Sequence, residues 1–108
     1  MYRLPIKPLS VNEAYRGRRF ATAKLKKFKA DMALLLPKKI ELPEGKMCIY
    51  FRFGVSSKNA DGDNPTKAAQ DAIAEVYKFN DKRVYEWHIV KEDVRKGEEF
   101  IEFNIYPL

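Results

Sequence analysis

Three stretches of two-residue alternation, cleanest over 46–53, constrain this chain more than any other feature. Residues 46–53 set Met47, Ile49, Phe51 and Phe53 on one side of an extended backbone, and residues 84–91 and 99–106 alternate in the same way. A period of two buries one face of a strand and leaves the other to water, so all three read as strands. Tyr2, Leu4 and Ile6 predict a further strand over 2–7, which Pro5 places at a sheet edge. Thr22 can cap a helix running to about Leu36, with Leu25, Phe28, Met32, Leu35 and Leu36 on one face and Lys24, Lys27 and Asp31 on the other; Pro37 ends it. Asn64 can cap a second helix, with Pro65 at its first position and Ala68, Ala69, Ala72, Ile73 and Val76 forming a flat, small-residue face that permits close approach to a sheet or to another helix. Residues 8–12 read as a turn, 54–62 as a polar loop and 95–97 as the turn between the last two strands. The order β-α-β-α-β-β predicts a small α/β (α+β) fold: one domain over residues 1–108, a mixed sheet and two main helices.

With 108 residues, 45% of them hydrophobic, the chain can bury one core and no more. That excludes large barrels and two-lobed nucleotide folds. The net charge is +6, but it is not spread evenly. Residues 1–30 hold nine basic side chains (among them Arg3, Lys7, Arg16, Arg18, Arg19, Lys24 and Lys27) and one acid, Glu13; the rest holds 12 bases and 14 acids. The N-terminal segment therefore carries +8 and the remainder −2. In Tyr15-Arg16-Gly17-Arg18-Arg19-Phe20 aromatic rings interleave with guanidinium groups, a pattern suited to phosphate contact and base stacking. Nucleic acid is the expected partner, although the same run could serve as a solvated basic surface. No apolar run reaches the roughly 18 residues of a membrane span, and Met1–Pro5 lacks a signal-peptide core. The single cysteine, Cys48, cannot pair within the chain. A soluble, cytoplasmic protein is expected, with no membrane and no small-molecule substrate among its partners.

The chemistry concentrates in Asp61-Gly62-Asp63-Asn64-Pro65-Thr66-Lys67, with Asp81 further on. Two carboxylates two residues apart can face one hard cation. Mg²⁺ prefers such oxygens, and Lys67 lies four residues past Asp63 at the start of the helix. Acids holding a metal beside a lysine fit phosphodiester hydrolysis. The same residues also fit plain turn and capping chemistry. An EF-hand reading fails, because its required glycine falls at Asn64 and its terminal glutamate at Gln70. A metal would explain why acids sit in a loop of a basic protein that should otherwise repel its partner.

The run Asp61-x-Asp63-Asn64-x-x-Lys67-Ala68-Ala69-x-Asp71-Ala72, followed by Asn80-Asp81 before a strand, resembles the RusA-type Holliday-junction resolvases. Pro8-x-Ser10-x-Asn12-x-x-Tyr15-Arg16 looks like that family's N-terminal motif. The resemblance implies a Mg²⁺-dependent, homodimeric endonuclease, with Mn²⁺ as a substitute ion. Such enzymes cut four-way DNA junctions symmetrically in recombination and repair, and are often carried by prophages. By position, Asp61, Asp63 and Asp81 would be the metal-holding catalytic acids and Lys67 the essential lysine. Asn12, Tyr15, Arg16, Arg18, Arg19, Lys24 and Lys27 would face the DNA. Asp71 also matches, with an i,i+4 salt bridge to Lys67 as its plain reading. Asn80 stands where many relatives have another acid.

One geometric expectation follows. A 13-residue helix is about 20 Å long, and four linking residues reach at most about 14 Å. Asp81 would then arrive from a partner subunit, with two Ala-rich helix faces packed antiparallel about a two-fold axis. Two identical sites would suit a two-fold junction, which one small domain is too short to span. Two other functions remain open: a non-catalytic branched-DNA-binding protein, and a Mg²⁺ nuclease acting on flaps or forks. His88, in step with Val84, Glu86 and Val90, has no His or Cys at ligand spacing and reads as a packed or surface residue. Cys48 reads as a small core or surface residue, and Trp87 as packing first.

Overall fold

A computed structural model describes residues 1–16, 20–56 and 65–108. It is a mixed α+β domain built on a four-stranded sheet. Its elements are β1 (Tyr2–Leu4), α1 (Val11–Ala14), β2 (Tyr15–Arg16), β3 (Phe20–Ala21), α2 (Ala23–Leu35), β4 (Met47–Val55), α3 (Thr66–Tyr77), a single 3₁₀ turn (Asp81–Arg83), β5 (Val84–Asp93) and β6 (Phe100–Pro107). The sheet order is β1-β6-β4-β5. Strand β6 pairs antiparallel with β1 and β4, whereas β4 and β5 are parallel and joined through α3. β2 and β3 form a separate antiparallel ribbon.

The alternation of residues 46–53 decides the layering. Met47, Ile49, Phe51 and Phe53 are all completely buried, together with Ile101 and Phe103 of β6. They share one core with Leu25, Phe28 and Met32 of α2 and with Ala68, Ala69, Ala72 and Ile73 of α3. The helices thus cover one face of the sheet. The other face carries Cys48, Tyr50 and Arg52 beside Glu102 and Asn104, each in register with its neighbour.

On that second face Phe100 lies across from Gly54, and the Arg3 guanidinium stacks 3.8 Å above the Phe100 ring. A Cβ on Gly54 would enter the space of that ring. Gly54→Ala should therefore displace Phe100 and unseat Arg3, at a cost of about 1–3 kcal/mol. A denaturant midpoint lowered at constant m would confirm it; an unchanged midpoint would show that the ring moves freely.

Several expectations are corrected. Residues 8–12 are not simply a turn, because Val11–Ala14 form a helical turn capped by the Ser10 hydroxyl, which accepts from the Glu13 N–H at 3.2 Å. The first strand stops at Leu4, where Pro5 withholds a donor, rather than at residue 7. Thr22 does cap α2, accepting from the Leu25 N–H at 3.3 Å. At its far end Leu36 leaves the helix in an extended conformation and takes the buried position, so Leu35 is exposed. The α3 helix begins at Thr66 with Pro65 in the capping position, and the expected cap Asn64 lies outside the described residues.

The largest correction concerns the small-residue face of α3. Ala68, Ala69, Ala72 and Ile73 are already buried in the chain's own core, so this face has nothing left to offer a second helix. The phase of β5 also differs from simple alternation. Met47 pairs with Val84 but Cys48 pairs with Glu86, so the register slips by one residue at Tyr85. Val84 is consequently buried while Glu86, His88 and Val90 are exposed on the helix-free face.

Candidate functional site

The basic ribbon is fixed at its base. The Thr22 hydroxyl donates to the Glu13 carbonyl at 2.7 Å while its oxygen caps α2, and the Thr22 N–H donates to the Ala14 carbonyl at 3.0 Å. The two ends of the β2–β3 ribbon are thereby clamped together, and Tyr15 is held against α3. Arg18 and Arg19 lie outside the described residues, as do Asp61 and Asp63. Arg16 is placed by its backbone pairing with Phe20.

Tyr15 joins this ribbon to the helix that follows the Asp61–Asp63 segment in sequence. Its hydroxyl donates to Asp71 Oδ2 at 2.6 Å. Burial, that hydrogen bond and the charges of Asp71 and Glu75 hold the phenol far above its ordinary pKa, so it remains a donor at any physiological pH. Lys67, one turn before Asp71, places its ammonium 4.4 Å from the centroid of the Tyr15 ring and 4.0 Å from Asp71 Oδ2. Its side chain is 57% exposed, so the charge still faces solvent. The structure therefore gathers Tyr15, Lys67 and Asp71 at the head of α3, immediately after the Asp61–Asp63 segment.

Asp81 reaches the same helix from its other end. After Lys78, in the left-handed conformation (φ 57°), the chain turns back, and the Phe79 N–H donates to the Ala74 carbonyl at 3.2 Å. Asn80 accepts from the Lys82 N–H at 2.9 Å and so caps the 3₁₀ turn that carries Asp81. Asp81 is exposed and lines a cleft of about 290 Å³ together with Lys29, Asp71, Ala74 and Glu75. Asp71 links the two ends: it borders this cleft and also meets Lys67. The return of the chain brings Asp81 to the level of Asp71 on α3; the expectation that it meets a partner's Asp61 and Asp63 falls on residues outside the described ones.

Asn12 sits exposed on α1, and Lys24 and Lys27 project from the outer face of α2. Lys27 bonds Asp31 at 2.9 Å, an exposed i,i+4 pair worth well under about 1 kcal/mol and readily exchanged for a phosphate. Lys29 bridges to Glu75 at 2.7 Å, tying α2 to α3 beside the cleft.

A second group of ligand-type side chains lies on the helix-free face. Cys48 Sγ, a Glu86 carboxylate oxygen and a His88 ring nitrogen all fall within 4.8 Å of one another. Spacing along the chain does not show it, since Cys48 belongs to β4 and the other two to β5. Burial, and then the charge of Glu86, push the Cys48 thiol up from its ordinary pKa. Trp87 points the opposite way, toward the helices, and donates its indole N–H to the Gln70 amide oxygen of α3 at 2.6 Å. No protein-family model matches this chain, and no match to it is found among curated proteins.

Proposed function

We propose that the protein is a Mg²⁺-dependent endonuclease of branched DNA that resolves four-way junctions by paired hydrolysis. The observation that carries the reading is the position of Lys67. It stands at the head of α3, directly after Asp61-x-Asp63, touching Tyr15 of the basic ribbon and adjoining, through Asp71, the cleft that holds Asp81. Asp61, Asp63 and Asp81 would hold the cation. They offer hard carboxylate oxygens only, and Asp81 makes no salt bridge among the described residues, so the donor set suits Mg²⁺. A bound Mg²⁺ supplies Lewis acidity and a water of lowered pKa.

The chain's own residues do the rest. The N-terminal segment, with its surplus of +8 that includes the outer lysines of α2, grips phosphates and sets the register of the DNA. Tyr15, locked to Asp71, fixes the ribbon against the helix so that the DNA it grips passes over Lys67. The Lys67 ammonium stabilises charge developing on the attacked phosphate.

Paired cutting needs two sites, and the homodimer is part of this reading. With the alanine face of α3 buried, the surface that favours a second protomer is the outer edge of β5. That ten-residue edge strand exposes Trp87 and Ile89 along its helix-side flank, with Tyr85 exposed at the register slip. Ile89→Lys should convert the dimer to a monomer in analytical ultracentrifugation and reduce paired cuts to single nicks. A dimer that survives this change would place the interface elsewhere.

The deciding experiment offers labelled immobile four-way junction, duplex, flap and fork, each with and without Mg²⁺. Symmetric cuts in the junction alone are expected. Binding without cutting identifies a non-catalytic branched-DNA binder, and preferential cutting of flaps or forks moves the substrate to those structures.

A further inference from the structure

We propose that Cys48, Glu86 and His88 form a second metal site, for a borderline-soft divalent cation of the Zn²⁺ type, independent of the acidic site and of the nuclease reading. The three donors come from two neighbouring strands, and the register slip at Tyr85 is what aligns them. Because Cys48 pairs with Glu86, its side chain and those of Glu86 and His88 project from the same helix-free face. Without the slip Cys48 would face Tyr85 instead, and no carboxylate would stand beside the thiol.

The donor set is selective. A thiolate and an imidazole disfavour Mg²⁺ and Ca²⁺ and favour Zn²⁺ or its spectroscopic substitute Co²⁺. Three protein ligands leave the fourth tetrahedral position to water or an outside ligand. Bond lengths of about 2.0–2.3 Å require ligand atoms somewhat closer than the 4.8 Å limit within which these three lie. Glu86 and His88 are both exposed, and neither side chain is held by a hydrogen bond or salt bridge among the described residues. They can swing inward by side-chain rotation while Cys48, nearly buried between β5 and β6, stays fixed. Occupancy would cross-link the central strand β4 to the edge strand β5.

The test uses Co²⁺ added to the metal-stripped, reduced full chain. Cys48 is the only cysteine, so any thiolate-to-cobalt charge-transfer band reports on it alone. One Co²⁺ per chain is expected, displaced by Zn²⁺ and indifferent to excess Mg²⁺. His88→Ala and Glu86→Gln alter exposed side chains and leave the fold intact. Each should weaken the affinity by at least about tenfold, since even outer-sphere partners of metal ligands contribute that much. Cys48→Ser should remove the band. The proposal is overturned if wild-type protein gives no charge-transfer band, if one ion binds per two chains, or if His88→Ala and Glu86→Gln bind Co²⁺ as tightly as wild type. Because none of these readouts involves DNA, a negative result here leaves the nuclease reading untouched, and the reverse also holds.

Discussion

Asp63→Asn should reduce Mg²⁺-dependent cleavage of a four-way junction by at least about 100-fold, a loss comparable to deleting one transition-state electrostatic contact. Binding of the same junction should be as tight as wild type or tighter. The substitution keeps the shape of the side chain and removes one negative charge. A hard cation loses a carboxylate ligand, whereas the DNA loses a repulsive neighbour. Gel shift with the divalent ion chelated measures the second effect without the first. The slope of log affinity against log salt should not change, because no phosphate-binding cation has been removed. Should Asp63→Asn cut at the wild-type rate, the acids are turn and capping residues and the protein is a DNA binder only. Mixing Asp63→Asn chains with Asp81→Asn chains then tests how the site is assembled. Since the chain doubles back after Lys78 and places Asp81 in the cleft beside Asp71, each protomer should hold its own complete site. Cleavage should therefore not return in the mixture; its return would put Asp81 in the partner's site.

The layering of the domain was legible in the sequence because burial on one face of a strand writes a period of two. Met47 through Phe53 carry that signal without interruption, and the structure buries all four expected residues. The ends of α2 were legible for a similar reason, since Thr22 and Pro37 are chemical start and stop signals. The α1 helix was missed and read as part of a turn: Ser10 followed by Glu13 is a capping-box pattern, but too few residues follow it to show periodicity. Two-residue strands such as β2 and β3 leave no pattern at all. The alanine face of α3 shows the limit of periodicity most clearly. A stripe of small residues announces close packing but does not name the partner, and here the partner is the chain's own sheet. The slip at Tyr85 has no glycine or proline to mark it, so neither the exposure of His88 nor its meeting with Cys48 could be read along one strand. Contacts between strands depend on register, and register is settled by the whole sheet.

Lys67→Met should leave the fold intact and remove most of the cleavage. The structural value of this lysine is small. Its ion pair with Asp71 is long at 4.0 Å and more than half exposed on the lysine side, which makes it worth at most about 1 kcal/mol. Its ammonium lies 4.4 Å from the Tyr15 ring centroid, an exposed cation–π contact of about 0.5–1 kcal/mol. Methionine keeps the length of the stem and its packing on Tyr15, so the thermal midpoint should fall by only a few degrees. Catalysis is a different matter. A cation aimed at charge that develops only in the transition state acts where water is displaced, and its loss costs about 100- to 1,000-fold in rate. Because the contact strengthens in the transition state, kcat and kcat/KM should fall together while the junction Kd changes little. Asp71→Asn provides the contrast. The amide oxygen can still accept from Tyr15, and only the weak pull on Lys67 disappears, so cleavage should stay within a few-fold of wild type. If instead Asp71→Asn loses as much as Lys67→Met, the ion pair itself positions the lysine, and Asp71 acts as its positioning residue. If Lys67→Met cuts normally, the ammonium is a surface charge and the three acids must act without it.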